Sequence, residues 1–185
     1  MSFCKSLSAI LLLSVAYVPA NCDPHALGIQ SRSIPDTSLT ASSEWDALRG
    51  PERARLHSQA DGPFRGSWVA RVGDDKQWIQ VDLLDIYHIT SVATQGRTDY
   101  AQWVTSYKVA CSTDGIVFNT VRVNYSGYCT SEKIFTGNSN QNSVVKNDLP
   151  EPQYCRYVRL MPLTFRGRVS LRFEVYGEGP IASKC

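Results

Sequence analysis

The sequence WIQVDL at residues 78–83 alternates polar side chains with the apolar side chains of Ile79, Val81 and Leu83. The sequence VSLRFEVY at residues 169–176 has the same period of two. Successive side chains of a β-strand point to opposite faces, so this alternation predicts two strands with one buried face each.

Four further runs with apolar, β-branched and aromatic residues lie between these two, at residues 89–95, 104–112, 116–125 and 157–163. Asp114-Gly115, between the second and third runs, is typical of a β-hairpin turn. Short strands separated by polar turns, without a long helical period, predict an all-β fold, either an antiparallel sandwich or a barrel.

Length and composition indicate one domain with a real core. The chain has 185 residues, of which 43% are hydrophobic and 19% charged. Its 19 basic and 17 acidic residues give a net charge of +2, and no block of like charge stands out. This balance argues against a nucleic-acid partner that is held by electrostatics alone.

Residues 1–20 have the features of a signal peptide. Lys5 precedes an apolar run at residues 9–18, and Val18-Pro19-Ala20 supplies small residues before a cleavage site ahead of Asn21. A run of ten residues is too short to span a bilayer comfortably. We therefore expect a secreted, extracellular protein, with an uncleaved membrane anchor as the alternative.

The chain without this segment has five cysteines: Cys22, Cys111, Cys129, Cys155 and Cys185. Most of them should be paired in an oxidising compartment. We expect one bond among Cys111, Cys129 and Cys155, and the sequence leaves open which two form it. The remaining thiol is either buried or available for a disulfide-linked dimer.

The sequence predicts no catalytic residues and no enzyme. His25, His57 and His88 are scattered, and the chain has no HExxH motif, nucleophile motif or phosphate-binding glycine loop. No CxxC pair suggests zinc. We expect no cofactor, with calcium at Asp74-Asp75 as an alternative to a solvated turn.

The sequence also predicts a glycosylation site and a cluster of arginines on the final strands. Asn124-Tyr125-Ser126 is an N-glycosylation sequon, so we expect modification at Asn124. The arginines of the final strands should lie partly on a solvated face, with one or two buried against carboxylates; they are Arg156, Arg159, Arg166, Arg168 and Arg172.

Several short blocks occur in an order and spacing that resemble one known family. They are 27–28 (LG), 34–36 (IPD), 39–43 (LTASS), 54–56 (ARL), 77–83 (QWIQVDL), 94–97 (TQGR), 105–109 (TSYKV), 135–138 (FTGN), 156–162 (RYVRLMP) and 171–177 (LRFEVYG). Together they resemble a discoidin domain, the coagulation factor 5/8 type C module, over roughly residues 22–177.

The resemblance implies an eight-stranded jelly-roll β-sandwich of galactose-binding-like topology. The discoidin domain would occupy residues 21–177, followed by a tail at residues 178–185 that ends in Cys185. The resemblance also implies that Cys22 pairs with Cys185, as the terminal cysteines do in the family. Trp68 and Trp78 fall within the family's strand blocks, and we expect both in the core.

Members of the family are mostly non-enzymatic recognition modules that bind through loops at one end of the sandwich. Here residues 43–53, 60–67 and 97–102 should form that end. Aromatic rings stack on ligands, while guanidinium and carboxylate groups form directional hydrogen bonds. The candidate ligand-binding residues are Trp45, Asp46, Leu48, Phe64, Arg65, Arg97, Asp99 and Tyr100.

The ligands of the family include phosphatidylserine membranes, glycans and collagen. The first loop is short and half of residues 44–53 are charged, which disfavours membrane insertion. Trp45 and Arg97 resemble the pattern of collagen-binding members, but the third loop is shorter than theirs. We therefore expect a lectin-like adhesion module for glycans or for glycosylated cell-surface or matrix ligands. Phosphatidylserine membranes, collagen, or a structural role in the extracellular matrix are the alternatives.

Overall fold

A computed structural model describes residues 25–125 and 129–180 of the chain. The strands are β1 (His25–Ala26), β2 (Leu39–Ala41), β3 (Trp68–Val69), β4 (Ile79–Gln95), β5 (Trp103–Ser112), β6 (Asn119–Thr120), β7 (Arg122–Tyr125), β8 (Cys129–Glu132), β9 (Phe135–Thr136), β10 (Val145–Arg166) and β11 (Ser170–Glu178). Two 3-10 helices cover Asp36–Ser38 and Pro51–Arg53. Within the described ranges, no helix is long and apolar enough to cross a bilayer.

Nine of these strands form one curled antiparallel sheet. Its central order is β1-β11-β4-β10-β5-β6, while β2 pairs with β4, β3 with β11 and β9 with β5. β7 and β8 form a separate hairpin. This arrangement confirms the predicted all-β jelly-roll class. The assigned strands exceed the expected eight because several are pieces of only two residues.

The sheet curls because its longest strands change partners along their length. β4 joins the two strands that the sequence predicts at residues 78–83 and 89–95 into a single strand. Its first residues, Ile79 to Val81, pair with β2, and its last residues pair with β11. Between them Leu84 adopts a left-handed φ of 70°. A continuous strand with two sets of partners lets the sheet close around its own core.

The core is made of the apolar positions that the alternating stretches predict. Ile79, Val81 and Leu83 are all buried. On β11, however, the polar residues Ser170, Arg172 and Glu174 are buried as completely as their apolar neighbours. The alternation predicts an exposed polar face here, and that prediction is wrong because connecting segments cover the outer face of β11.

Glu174 ties down the segment after β1 from this covered face. Its carboxylate accepts hydrogen bonds from the backbone N–H groups of Ile29 (3.2 Å), Gln30 (2.7 Å) and Val175 (2.9 Å). Burial raises the pKa of Glu174 above its usual value, while these N–H donors act in the opposite direction. The carboxylate therefore satisfies three backbone donors, two of which belong to the buried residues Ile29 and Val175.

A disulfide between Cys111 and Cys155 connects neighbouring strands β5 and β10. It settles which of the three central cysteines pair, a choice that the sequence leaves open. The side chain of Cys129 and the residues Cys22 and Cys185 lie outside the described part of the chain. The terminal bond and a disulfide-linked dimer therefore stay predictions, as does the signal peptide.

The two tryptophans that were expected in the core differ in position. Trp68 is completely buried, as predicted, and its indole N–H donates to the Ser43 carbonyl at 2.8 Å. The prediction for Trp78 is wrong, since it is only half-buried. It precedes buried Ile79 in the alternation and so faces outward, where the Arg159 guanidinium stacks 4.1 Å from its ring centroid.

The strand predicted from Ile116 begins later than expected. The Asp114 carboxylate accepts hydrogen bonds from the N–H groups of Ile116 (2.8 Å) and Val117 (3.0 Å), which holds both residues in the turn. Both side chains are exposed, and pairing with β5 starts at Asn119. The Asp114-Gly115 turn itself is where the sequence predicts it.

We expect Glu174→Gln to lower the free energy of unfolding by about 1–3 kcal/mol, because the amide NH₂ group would face a buried backbone N–H. Denaturant unfolding followed by tryptophan fluorescence measures the change. Glu151→Gln, at an exposed position, is the matched control and should change stability by less than about 0.5 kcal/mol. Equal stability of the two variants would contradict the role of Glu174.

The Cys111–Cys155 bond closes a loop with a sequence separation of 44 residues. Replacing both cysteines with alanine should lower the free energy of unfolding by about 2–4 kcal/mol. Trypsin places the three central cysteines in separate peptides, at residues 109–122, 123–133 and 147–156. Mass spectrometry of the unreduced digest should show the first and third peptides linked, and a link from either of them to the second would contradict the structure.

Candidate functional site

Three loops and one turn of the fold surround a cavity of about 420 Å³, which we term the loop cavity. Loop 1 (residues 43–53) and loop 2 (60–67) lie between β2 and β3, and loop 3 (97–102) connects β4 to β5. The turn between β10 and β11 supplies Arg168. The lining residues are Trp45, Arg49, Arg65, Val69, Arg97, Asp99, Tyr100, Gln102 and Arg168.

Loop 1 is fixed against β3 by backbone hydrogen bonds. The Trp45 N–H donates to the Val69 carbonyl at 2.8 Å, and the Val69 N–H donates to the Arg49 carbonyl at 3.2 Å. Between them Asp46 accepts from the Leu48 N–H at 3.0 Å and forms an ion pair with Arg49. Asp46 therefore shapes the loop and has its carboxylate occupied within it.

Loop 2 is held to loop 1 through Arg53. The Arg53 guanidinium donates to the Arg65 carbonyl at 2.8 Å and to the Gln59 carbonyl at 3.0 Å. The loop turns at Asp61, whose backbone exchanges two hydrogen bonds with Phe64 (3.1 and 2.9 Å). These bonds set the position of Arg65 at the cavity.

Loop 3 is closed by the side chain of Arg97. Its guanidinium donates to both carboxylate oxygens of Asp99 (2.7 and 2.8 Å) and to the Gln102 side-chain oxygen (3.0 Å). This hydrogen-bonded pair holds the pKa of the Asp99 carboxyl below its usual range. Arg97 is only 7% exposed, so its principal action is to shape loop 3.

The aromatic side chains at this end differ in their surroundings. Trp45 is 41% exposed, and the Arg168 guanidinium carbon lies 3.9 Å from its ring centroid. Tyr100 is 61% exposed at the cavity edge. Phe64 is 42% exposed and lies under Arg53, with its ring outside the lining. Trp45 and Tyr100 are thus the two rings that a ligand in the cavity could contact.

The structure brings five of the eight candidate residues together at the cavity: Trp45, Arg65, Arg97, Asp99 and Tyr100. Asp46, half-buried Leu48 and Phe64 do not line it. Among the other lining residues, Arg49 and Gln102 lie within the predicted loops. Arg168 lies far along the chain, where the sequence predicts only an arginine cluster.

The arginine cluster itself is only partly as expected. Arg156 forms an ion pair with the Asp82 carboxylate at 2.8 Å, but its side chain is 38% exposed, so the predicted burial is wrong for this residue. Arg172 is buried, but it donates to the backbone carbonyls of Ser58, Gly96 and Gln141. The expected burial against a carboxylate is wrong for this residue, because strand-end and loop carbonyls surround it.

The described residues contain no group of three or more His, Cys, Asp or Glu side chains that could hold a metal ion. Asp74, one of the two carboxylates considered for calcium, accepts from the Lys76 N–H (3.1 Å) and from the Gln77 side-chain amide (2.7 Å). These bonds close the turn that precedes β4.

Solved structures share this fold. Discoidin II from Dictyostelium discoideum matches with a TM-score of 0.65 and 28% identity, over 75% of this chain and 53% of that chain. A family 32 carbohydrate-binding module of Clostridium perfringens NanJ, solved in complex with galactose, matches with a TM-score of 0.57 and 19% identity. This match covers 83% of this chain and 99% of the module, and it shows that the two share a fold.

Curated relatives match over most of this chain. Lactadherin of Rattus norvegicus is 38% identical over 168 residues, which are 84% of this chain and 38% of lactadherin. Retinoschisin of Mus musculus is 34% identical over 86% of this chain and 69% of its own length. Hemocytin of Bombyx mori is 34% identical over 91% of this chain and 5% of its own length, so the chain spans only part of these proteins. The F5/8 type C domain family matches residues 38–175, and the chain therefore belongs to the F5/8 type C, or discoidin, domain family.

Proposed function

We propose that the chain is a secreted, non-enzymatic recognition module that binds glycans, or glycosylated cell-surface or matrix ligands, in the loop cavity. The observation that carries this proposal is the convergence of exposed Trp45 and Tyr100 with charged side chains around one concave site. Aromatic faces stack on the apolar face of a sugar ring, while guanidinium and carboxylate groups bind hydroxyl and charged substituents.

The cavity is also largely preformed. Arg97 closes loop 3, Arg53 connects loops 1 and 2, and β3 holds loop 1 through backbone hydrogen bonds. A ligand that enters such a site orders few additional groups, so less of its interaction free energy is lost. This matters for glycans, whose contacts with a shallow site are individually weak.

Secretion is supported by the disulfide between Cys111 and Cys155, since such bonds persist in oxidising compartments. Asn124 is exposed on β7, with its amide 3.2 Å from the Glu151 carboxylate. An exposed sequon asparagine is accessible for attachment of a glycan. We therefore propose that Asn124 is N-glycosylated.

Attachment to phosphatidylserine membranes is the second candidate, and the geometry favours it less. Of the apolar side chains that could enter a bilayer, Leu48 is half-buried and Trp45 carries the Arg168 guanidinium on its ring. Phe64 is left as an exposed ring, with Arg53 above it. Burying one such side chain contributes only about 1.5–3 kcal/mol, which dehydration of nearby charges would oppose.

We expect the protein, expressed as the full chain in animal cells, to bind a subset of glycans on an array. Trp45→Ala and Tyr100→Ala should each weaken binding about tenfold or more, since each removes a stacking surface. Tyr154→Ala is the matched control, because Tyr154 is an exposed ring outside the cavity lining. Thermal unfolding of every variant checks that the fold is intact.

The alternatives are measured with the same protein. Vesicles with and without phosphatidylserine, in calcium or in EDTA, test membrane binding, and immobilised collagen tests matrix binding. Failure to bind any glycan, together with sedimentation that requires phosphatidylserine and is lost in Phe64→Ser, would replace the proposal with membrane recognition. Binding to collagen that Trp45→Ala abolishes would replace it with matrix recognition.

A further inference from the structure

We propose that the loop cavity selects an acidic sugar, and that the guanidinium groups of Arg168 and Arg65 bind its carboxylate or sulfate group. This inference rests on the proposed glycan function and specifies the class of glycan. It follows from the different partners that the four arginines around the cavity have in the fold.

The cavity lining is strongly cationic. Four guanidinium groups line it, from Arg49, Arg65, Arg97 and Arg168, against the single carboxylate of Asp99. A second carboxylate, that of Asp46, is paired with Arg49 outside the lining. Even when both carboxylates are counted, two positive charges are unbalanced. A neutral sugar would leave that excess unused, whereas an anionic group would neutralise part of it.

Two of these arginines are already engaged in the fold. Arg97 uses all three of its guanidinium nitrogens on Asp99 and Gln102. Arg49 forms its ion pair with Asp46 three residues earlier in loop 1. Arg97 cannot bind an anion without opening loop 3, and the charge of Arg49 is already balanced by Asp46, so both act chiefly as positioning residues here.

Arg168 is held in place by an aromatic ring, and its side-chain donors bind no acceptor among the described residues. Its guanidinium carbon lies 3.9 Å from the Trp45 ring centroid, and no ion pair connects it to a carboxylate of the described residues. Stacking occupies the face of a guanidinium and leaves the N–H groups at its edge available for a planar or tetrahedral anion. Trp45 therefore orients Arg168 towards a ligand, in addition to offering its own ring.

Arg65 has an unfilled donor beside the cavity. Its Nε is buried and has no hydrogen-bond partner among the described residues. Its Nη1 lies 3.8 Å from the Asp99 carboxylate, which is an ion pair longer than a hydrogen bond. The backbone N–H of Arg65 is fixed to the Leu48 carbonyl at 2.9 Å. A buried donor without a partner is uncommon in proteins. The Arg65 side chain as a whole is 40% exposed, so the end of its guanidinium group is accessible to an anionic oxygen in the cavity.

The shape of the site favours an acidic sugar over a small free anion. Ligand sites for small molecules commonly have volumes of about 300–1,000 Å³, and the loop cavity has about 420 Å³. Exposed Tyr100 lies at its edge, beside the arginines. A free phosphate or sulfate ion would contact the guanidinium groups and leave both the space and the ring unoccupied.

The test uses the secreted full chain and an array of matched glycans, each present as a neutral core, as its sialylated form and as its sulfated form. We expect the acidic forms to bind about tenfold or more tightly than their neutral core, with an affinity that falls as salt is raised. The sialylated and sulfated arms show whether a carboxylate or a sulfate is preferred. Titration calorimetry of the best pair gives the dissociation constants.

Arg168→Gln and Arg65→Gln should each weaken binding of the acidic form about tenfold more than binding of the neutral core. Arg166→Gln removes the same charge two residues from Arg168, at an exposed position outside the lining, and should leave the preference intact. Thermal unfolding of the three variants checks their folding.

Equal affinity for neutral and acidic forms would overturn the acidic selectivity and leave glycan recognition standing. Binding to no glycan at all would overturn both proposals. Vesicles that contain phosphatidylserine are the last arm, since their headgroups also carry carboxylate and phosphate. Binding to these vesicles through Arg168 and Arg65, without binding to acidic glycans, would overturn the inference in favour of a membrane ligand.

Discussion

The loops around the cavity depend on one buried guanidinium, that of Arg172. This side chain is 1% exposed and donates hydrogen bonds to the carbonyls of Gly96 (2.7 Å), Ser58 (2.9 Å) and Gln141 (2.8 Å). Burial lowers the pKa of Arg172 to about 10, which still leaves it charged at neutral pH. A buried charge is stable only when its donors are hydrogen-bonded, so Arg172 holds all three segments against β11.

The three segments that Arg172 binds are connected to the loops of the site. Gly96 immediately precedes Arg97, Ser58 precedes loop 2, and the Gln141 side chain donates to the Thr98 carbonyl of loop 3 at 3.1 Å. Glu174 lies two residues further along β11, on the same face. It binds backbone N–H groups, whereas Arg172 binds backbone carbonyls. The outer face of β11 is thus a polar surface that holds these irregular segments through hydrogen bonds to their backbones.

The sequence predicts the local part of this structure well. Alternation locates β11 and the first half of β4, and it predicts that Ile79, Val81 and Leu83 are buried. Runs of apolar, β-branched and aromatic residues locate β5 and the second half of β4. It cannot predict that Arg172 and Glu174 are buried too, because their covering comes from segments far away in the chain. The same limit applies to the cysteines, since Cys111 and Cys155 can be paired only once β5 and β10 are known to be neighbours. At the site, the sequence can predict residues that lie within the three loops. It cannot predict Arg168, because the pairing of β10 and β11 with other strands brings this residue to the cavity.

The arginines at this end of the molecule divide into two kinds, and the division explains how so many can lie together. Arg172 and Arg97 have their charge distributed over carbonyl, amide and carboxylate acceptors of the fold. Arg168 has an aromatic face instead of an acceptor, and Arg65 has an incomplete set of partners. Mutual repulsion among the four lining guanidinium groups is moderated by Asp99, Asp46 and water, but it is not removed. A cavity that keeps such an excess of charge in a fixed geometry stabilises an incoming anion more than a flexible surface could, because the donors need no rearrangement when the anion arrives.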